Sequence, residues 1–308
     1  MINPRPFPRK PQPDIPRPRL YPIQRTKAMT ICIAAISNGN VDSMWYPYGD
    51  PQFIVGISDR MVSTNRTQSE LPQPKFRKTV NSVMVLMSGV NDVTSEVFEH
   101  TNSYMHKELE PPNDLFLVIP VERIAGIYSQ NLIKFLENRR DTICQARTGL
   151  RYQDFLKKHQ DWPQALQEDI INEINDEPGT QTIVTGIDQD GAHIYLIDDR
   201  GSVSCKDSIG FAVIGSGSLH AHSQLMQSRH SSNASYYDTL FLAYMAKKQA
   251  ELDKYVGKDT DIFVIKDDTN YDILPHKTVK ALEDIYESTY NKMFAEAKTK
   301  IAAYLKDK

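Results

Sequence analysis

The stretch "KAMTICIAAIS" (27–37) places Thr30 directly behind Met29, at the head of an apolar strand. A buried strand needs no Met-Thr in front of it, whereas an enzyme with an N-terminal threonine nucleophile does. A threonine hydroxyl is a weak nucleophile that needs a base, and an N-terminal threonine carries one in its own α-amine. That amine titrates near ~7.7–8.0, so part of it is neutral and basic at neutral pH. Thr30 is therefore a candidate nucleophile once the residues before it are lost.

Two charged residues further along the chain could serve such a threonine. Asp59 closes the apolar run "QFIVGISD", and Lys75 stands between Pro74 and Phe76, ahead of the apolar run "SVMVLMSG". A lysine flanked in this way is predicted to be partly buried, and a buried lysine needs a carboxylate partner. Asp59 is the candidate partner, although each of the two residues taken alone also fits a structural role.

The order and spacing of these residues resemble those of the proteasome β-subunit family of N-terminal nucleophile hydrolases, with its bacterial two-component and proteasome-like relatives. Asp59 precedes Lys75 by 16 residues, and Lys75 precedes Gly89 by 14 residues. The segment 182–218, which ends in a Gly-Ser-Gly turn, resembles the central hairpin of the family. The segment 251–265 resembles its Asp-containing loop and last core strand. Each motif alone is weak, but the ordered set is fairly specific.

The resemblance implies a role for each of these residues. Thr30 is the nucleophile, the Lys75 ammonium lowers the pKa of the Thr30 amine, and Asp59 holds Lys75 charged and in place. The backbone N–H of Gly89 donates to the oxyanion that develops during the reaction, and losing such a donor typically costs roughly 10²–10³ in rate.

Two further residues match positions that support the nucleophile in the family. These are Ser216 of the Gly-Ser-Gly turn and Asp253; a plain tight turn and a solvated loop acid are the alternatives. The chain also departs from the family in two places. Val256 stands where the family usually has a serine, and Met29 stands where self-cleaving members have glycine. Methionine before a small residue suits removal by methionine aminopeptidase, so we predict that translation starts at Met29 or that residues 1–29 are otherwise lost.

The chain is predicted to have three parts. Residues 1–29 hold eight of the 18 prolines, five arginines, two lysines and a single acid, which gives a net charge of +6. Such a segment cannot bury a core and should be disordered or removed. Residues 30–267 form the proteasome-like domain, most of which the resemblance covers, and 268–308 form a C-terminal helical extension. Hairpin-linked strands alternating with helix pairs predict an α+β fold, a four-layer αββα sandwich of two antiparallel sheets.

Composition excludes several classes of partner. The net charge of −3 gives the 308-residue chain no strong attraction to nucleic acid or to an anionic membrane. No apolar run approaches the ~20 residues of a membrane span. We predict no cofactor and no metal, because the pair His220 and His222 lacks a third ligand. The cysteines form neither a metal spacing nor a disulfide framework, which favours a reducing, cytoplasmic setting; they are Cys32, Cys144 and Cys205.

The resemblance implies a threonine-type peptidase that cuts peptides or unfolded proteins through an acyl-enzyme on Thr30. Family members assemble into rings with the active sites inside, so a homo-oligomeric ring is expected. An ATP-dependent unfoldase partner is compatible with such a ring, although no residue points to one. Two alternatives stay open. One is an amidase of the same class that acts on a small amide. The other is a non-catalytic scaffold subunit. Retention of residues 1–29 together with Val256 would favour this hypothesis.

Overall fold

A computed structural model of the protein describes residues 30–39, 52–63, 68–70, 74–108, 118–176 and 179–306. The predicted extension 1–29 lies outside these residues.

The described residues form short and long strands and seven α-helices. The strands are β1 (Cys32–Asn38), β2 (Gln52–Asp59), β3 (Met61–Ser63), β4 (Gln68–Glu70), β5 (Phe76–Lys78), β6 (Met84–Ser88), β7 (Gln181–Asp188), β8 (Gly191–Ile197), β9 (Val203–Cys205), β10 (Phe211–Ile214), β11 (Thr260–Ile265) and β12 (Tyr271–Ile273). The helices are α1 (Asn91–Glu108), α2 (Val121–Thr148), α3 (Tyr152–Lys158), α4 (Gln164–Asn175), α5 (Ser218–Gln227), α6 (Tyr236–Ala250) and α7 (His276–Lys306).

The strands form two five-stranded antiparallel sheets and one small strand pair. The first sheet has the order β10-β1-β2-β11-β12, the second has the order β5-β6-β7-β8-β9, and β3 pairs with β4. The predicted α+β fold with two antiparallel sheets is therefore confirmed. The strand β12 lies beyond the predicted domain boundary at residue 267 and still pairs with β11.

Strand β1 is buried on both of its faces, by the second sheet on one side and by helices on the other. Successive side chains of a strand point to opposite faces, and every residue from Ile31 to Ile36 is buried. Cys32, Ala34 and Ile36 belong to the cluster between the two sheets. The alternate residues, Ile33 among them, belong to a second cluster that includes α5 and α6. An uninterrupted apolar run is what a strand buried on both faces requires.

Three apolar clusters set the order of the layers. The first lies between the sheets, where Phe76 meets Phe263 edge to face with ring centroids 4.7 Å apart. The second joins the outer face of the second sheet to α1 and α2. The third joins the outer face of the first sheet to α5, α6 and the start of α7. This arrangement is compatible with the predicted sandwich.

The terminal helix α7 changes its environment along its length. Val279, Leu282 and Tyr286 pack against the cluster under the first sheet. From residue 287 to residue 306, every residue of the helix is exposed. Within the part of the chain that the structure describes, no helix combines the length and the apolar character needed to cross a membrane.

A histidine between two carboxylates ties the second sheet to the start of α2. His193 Nε2 lies 3.1 Å from Asp188 Oδ1, and His193 Nδ1 lies 2.7 Å from Asp207 Oδ2. The other oxygen of Asp188 accepts the N–H of Val121, the first residue of α2, at 2.9 Å. Burial opposes the charge of the imidazole, but the hydrogen bond to Asp207 and the two negative charges outweigh it and raise the pKa of His193.

This raised pKa predicts a pH-dependent contribution of His193 to stability. A group whose pKa is higher in the folded state stabilises the protein fully below its unfolded pKa of ~6.5, and the contribution is lost as pH rises through the folded value. The difference in unfolding free energy between the wild type and His193→Gln should therefore shrink from acidic to alkaline pH. Urea denaturation about one unit below and about two units above the ordinary histidine pKa measures it. The exposed His100→Gln variant is the control, and an equal pH dependence in both variants contradicts the prediction.

Candidate active site

The site lies at one end of the first sheet, where three strands begin or end. Antiparallel pairing sets Cys32 of β1 opposite Ser58 of β2, so Thr30, two residues before β1, lies beside the end of β2. The N–H of Asp59 donates to the carbonyl of Ile31 at 3.2 Å. Thr260, the first residue of β11, pairs with Asp59 from the other side. The register therefore brings Thr30, Asp59 and the segment before β11 together.

Asp59 carries a fully buried carboxylate that is surrounded by donors. Its Oδ1 accepts the Thr30 hydroxyl in a short hydrogen bond, the Ile31 N–H at 3.1 Å and the Lys75 ammonium at 3.0 Å. Its Oδ2 accepts the N–H of Gly257 at 2.7 Å. The side chain is 0% exposed, and a buried charge is tolerated when it is paired and hydrogen-bonded in this way.

Lys75 is the cationic partner in this site. Its side chain is 10% exposed, and its Nζ donates to Thr30 Oγ1 at 2.5 Å as well as to Asp59. A further short hydrogen bond joins Nζ to the carbonyl of Met61. The backbone of Lys75 is fixed because its carbonyl accepts the N–H of Met87 at 3.0 Å. The ion pair that the sequence predicted between Lys75 and Asp59 is present.

The Thr30 hydroxyl lies between a cation and an anion. Its oxygen accepts from Lys75, and its hydrogen is directed to Asp59. Thr30 is 2% exposed. The ammonium stabilises negative charge on the hydroxyl oxygen, and the carboxylate accepts a hydrogen bond from the hydroxyl, so the arrangement favours a more nucleophilic oxygen than an isolated threonine has. The sequence predicted that Asp59 would hold Lys75, and it missed the direct contact of Asp59 with the hydroxyl.

Ser216 lies against the backbone of Thr30, and among the described residues no hydrogen bond joins it to the Thr30 hydroxyl. Ser216 Oγ lies 3.5 Å from the carbonyl oxygen of Thr30, and the N–H of Gly217 lies 3.4 Å from the same oxygen. Gly215 has a φ of 102°, and a Cβ at this position would fall 2.2 Å from that carbonyl oxygen. The Gly-Ser-Gly sequence is therefore what allows this turn to approach the strand that carries Thr30.

Gly89 follows the end of β6 and has a backbone that requires glycine. Its φ is 123°, and a Cβ there would lie 2.7 Å from the Cα of Thr180. Among the described residues, no hydrogen bond joins Gly89 to Thr30. The thiol of Cys32 lies 3.6 Å from the carbonyl of Met87, which places the end of β6 over the start of β1. The oxyanion role of Gly89 stays a prediction.

Asp253 lies in the loop between α6 and β11, which the structure does bring to the site. Its Oδ1 accepts the N–H of Tyr255 at 3.0 Å, and no hydrogen bond between Asp253 and Thr30 is present within the described ranges. The residue of this loop that reaches the site is Gly257, through its backbone N–H. Sequence reasoning missed Gly257 because a backbone donor leaves no mark in residue type. Val256, beside it, is buried in the apolar cluster under the first sheet.

A second ion pair and a buried thiol border the site. Arg60 binds Asp261 of β11 through two hydrogen bonds, of 2.7 Å from Nε and 2.6 Å from Nη2. This bidentate pair braces β2 against β11 one residue beyond Asp59. Burial raises the pKa of Cys32 to about 12, although the nearby Lys75 ammonium opposes the shift. The thiol therefore stays protonated and does not compete with Thr30 as a nucleophile.

A scan against models of protein families finds no match to this chain, and a search of curated proteins finds none either. Across the residues that the structure describes, no group of three or more His, Cys, Asp or Glu side chains could hold a metal ion.

The buried ion pair predicts a large cost for removing its anion. Asp59→Ala leaves the Lys75 ammonium without its carboxylate, and breaking a buried pair in this way costs roughly 3–5 kcal/mol. The free energy of unfolding, measured by urea denaturation, should fall by that amount. Arg147→Ala, which removes an exposed ion pair with Glu173, is the control and should cost about 1 kcal/mol or less. Equal losses in the two variants would contradict the importance of the buried pair.

Proposed function

We propose that this protein is a threonine-type peptidase of the N-terminal nucleophile class, with Thr30 as the nucleophile. The observation that supports this most directly is the Thr30 hydroxyl, which accepts from Lys75 at 2.5 Å and donates to the buried carboxylate of Asp59. A threonine that only begins a strand has no need of a buried ion pair around its hydroxyl. The four-layer αββα fold of this enzyme class is part of the proposal, and the two helix-covered antiparallel sheets are compatible with it.

The proposed reaction begins when loss of the preceding residues frees the α-amine of Thr30. The amine takes the hydroxyl proton, directly or through water, and the Lys75 ammonium favours its neutral form. The Thr30 oxygen then attacks the carbonyl carbon of a peptide bond, and the N–H of Gly89 donates to the oxyanion. The tetrahedral intermediate expels the amine fragment, which takes up the proton, and leaves an ester on Thr30. A water molecule hydrolyses this ester and releases the acid fragment.

The proposal extends to the assembly and its setting. By the family resemblance, the substrate is a peptide or an unfolded protein, and the enzyme is a homo-oligomeric ring in the cytoplasm that encloses its active sites. Enclosure suits an unspecific peptidase, because it keeps folded proteins away from the nucleophile. An unfoldase that uses ATP would supply unfolded chains to such a ring.

One observation favours a second candidate function, that of a non-catalytic scaffold subunit. Val256 is 5% exposed and packs in the apolar cluster under the first sheet, next to Gly257. A serine that could support the Thr30 amine is therefore missing from this loop. A scaffold subunit would retain residues 1–29, and Thr30 would then have no free amine.

The state of the N-terminus is the first measurement that separates these functions. We expect intact mass and N-terminal sequencing of protein purified from its native host to give a chain that begins at Thr30. Peptide hydrolysis by that form should fall by roughly 10³-fold or more in Thr30→Ala, because the attacking oxygen is removed. Lys75→Ala should also abolish most of the activity.

The matched control for this experiment is Thr101→Ala. Thr101 is also a buried threonine, but it lies on α1, where Asn131 donates to its hydroxyl. Its variant should keep the wild-type rate. A chain that begins at Met1 and stays intact after assembly would rule out the threonine mechanism for that form and support the scaffold function.

Substrate size separates the peptidase from an amidase of the same class. We expect the Thr30 form to hydrolyse unstructured peptides of several residues faster than small amides, because a peptidase binds substrate residues on both sides of the cut bond. The ratio of kcat/KM for an unstructured peptide to that for a panel of small acyl amides measures the preference. A higher value for one of the small amides would favour the amidase.

A further inference from the structure

A lysine is fully buried beside the candidate site without belonging to it. Lys247 lies in the last turn of α6, and its side chain is 0% exposed. Its Nζ donates to Glu251 Oε1 at 2.6 Å and to the carbonyl of Lys258 at 2.7 Å. Burial lowers the pKa of Lys247, and the Glu251 carboxylate opposes that shift. A buried ammonium costs stability unless it is paired and hydrogen-bonded, so its position here needs a physical reason.

The side chain of Lys247 forms hydrogen bonds to both ends of one loop. Glu251 is the first residue after α6, and Lys258 lies two residues before β11 begins at Thr260. The ammonium therefore joins the start of the loop 251–259 to its end. Inside the loop, the N–H of Val256 donates to the carbonyl of Asp253 at 3.0 Å, which closes a tight turn.

The C-terminal end of the loop, where Lys258 accepts from Lys247, is also the part of the loop that contacts Asp59. Lys258 directly follows Gly257, whose N–H donates to Asp59 Oδ2 at 2.7 Å. The other described donors to this carboxylate, which come from Thr30, Ile31 and Lys75, all reach Oδ1. Gly257 therefore fixes the rotation of the carboxylate, because it alone among the described residues donates to the second oxygen.

We infer that Lys247 is a positioning residue for the candidate active site: its ammonium holds the loop 251–259 so that the Gly257 amide keeps Asp59 turned toward Thr30 and Lys75. Within the described residues, Lys247 forms no hydrogen bond with Thr30, Asp59 or Lys75. It therefore acts through the loop. The expected effect on rate rests on the proposed function, whereas the expected effect on the loop does not.

The variant Lys247→Met tests the inference, because it keeps an unbranched side chain only one atom shorter and removes the ammonium. Hydrogen exchange at the Gly257 amide, resolved by residue, should accelerate by about tenfold or more as the loop is released. In the Thr30 form, kcat for an unstructured peptide should fall by roughly 10–100-fold, because a small displacement of a catalytic group has effects of that size. KM should stay at the wild-type value, since Lys247 does not line the site.

Lys248→Met is the matched control. Lys248 is the next residue of the same helix and binds the same carboxylate, with its Nζ 2.8 Å from Glu251 Oε2. It forms no hydrogen bond to Lys258 in the described chain. Its variant should leave the exchange of Gly257 and the value of kcat unchanged.

A double variant separates positioning from stability. Lys247→Met alone removes one of the two lysines that bind Glu251, whose side chain is only 13% exposed, and it should therefore lower thermal stability. Lys247→Met combined with Glu251→Met replaces the pair by apolar side chains, which is often neutral or stabilising. Lys248 also loses Glu251 in this variant, but it is partly exposed and keeps a second carboxylate, since its Nζ lies 3.7 Å from Glu283 Oε1. The double variant should regain thermal stability and still show fast exchange at Gly257 and a low kcat. Recovery of the rate together with the stability would overturn the inference, because Lys247 would then serve folding alone.

The exchange measurement also separates the positioning role of Lys247 from the proposed peptidase function. An unchanged Gly257 exchange rate in Lys247→Met overturns the inference, whatever the activity. If the wild-type Thr30 form hydrolyses no peptide, the proposed function fails. Faster exchange at Gly257 in Lys247→Met, with no change in Lys248→Met, would still support the positioning of Asp59 by Lys247.

Discussion

The buried carboxylate of Asp59 is the constraint on which the rest of the site depends. A carboxylate at 0% exposure has lost its water and must be compensated by donors that the protein supplies. Those donors come from three places far apart in the sequence: the start of β1, the residue before β5 and the loop before β11. The site is therefore complete only when both sheets and that loop are assembled.

The same constraint explains the position of the site within the fold. β2 lies in the middle of the first sheet, between β1 and β11, so its last residue is flanked by backbone on both sides. Lys75 approaches from the segment that leads into the second sheet, and its carbonyl accepts a hydrogen bond from Met87 of β6. The ion pair between Lys75 and Asp59 thus spans the two sheets at one end of the core. Packing between the sheets, including the contact of Phe76 with Phe263, holds the two charges together.

The sequence predicted the parts of this structure that residue type and period encode. The apolar run ending at Asp59 predicted β2 with its observed bounds, and the need of a buried lysine for an anion predicted the pair with Lys75. Strands of three residues, such as β9 and β12, are too short to show a period, and the sequence did not reveal them. Gly257 was missed because its contribution is a backbone N–H, which every residue except proline possesses. The role of Asp253 stays a prediction: its loop reaches the site through Gly257, while its own Oδ1 accepts the N–H of Tyr255, and the direction of a side chain depends on tertiary packing that residue type does not reveal.

The two ends of the described chain differ in what can be attached to them. Thr30 is almost fully buried and lies two residues before β1, so in the form that begins at Thr30 any label placed ahead of it is joined to the nitrogen of the candidate nucleophile itself. The helix α7, in contrast, is exposed over residues 287–306, a length of about 30 Å at 1.5 Å per residue. An affinity tag or a fluorophore placed after this helix is carried away from the α6 surface by that length. A tag placed after α7 is thus suited to purification, surface attachment or imaging of the protein with its site intact.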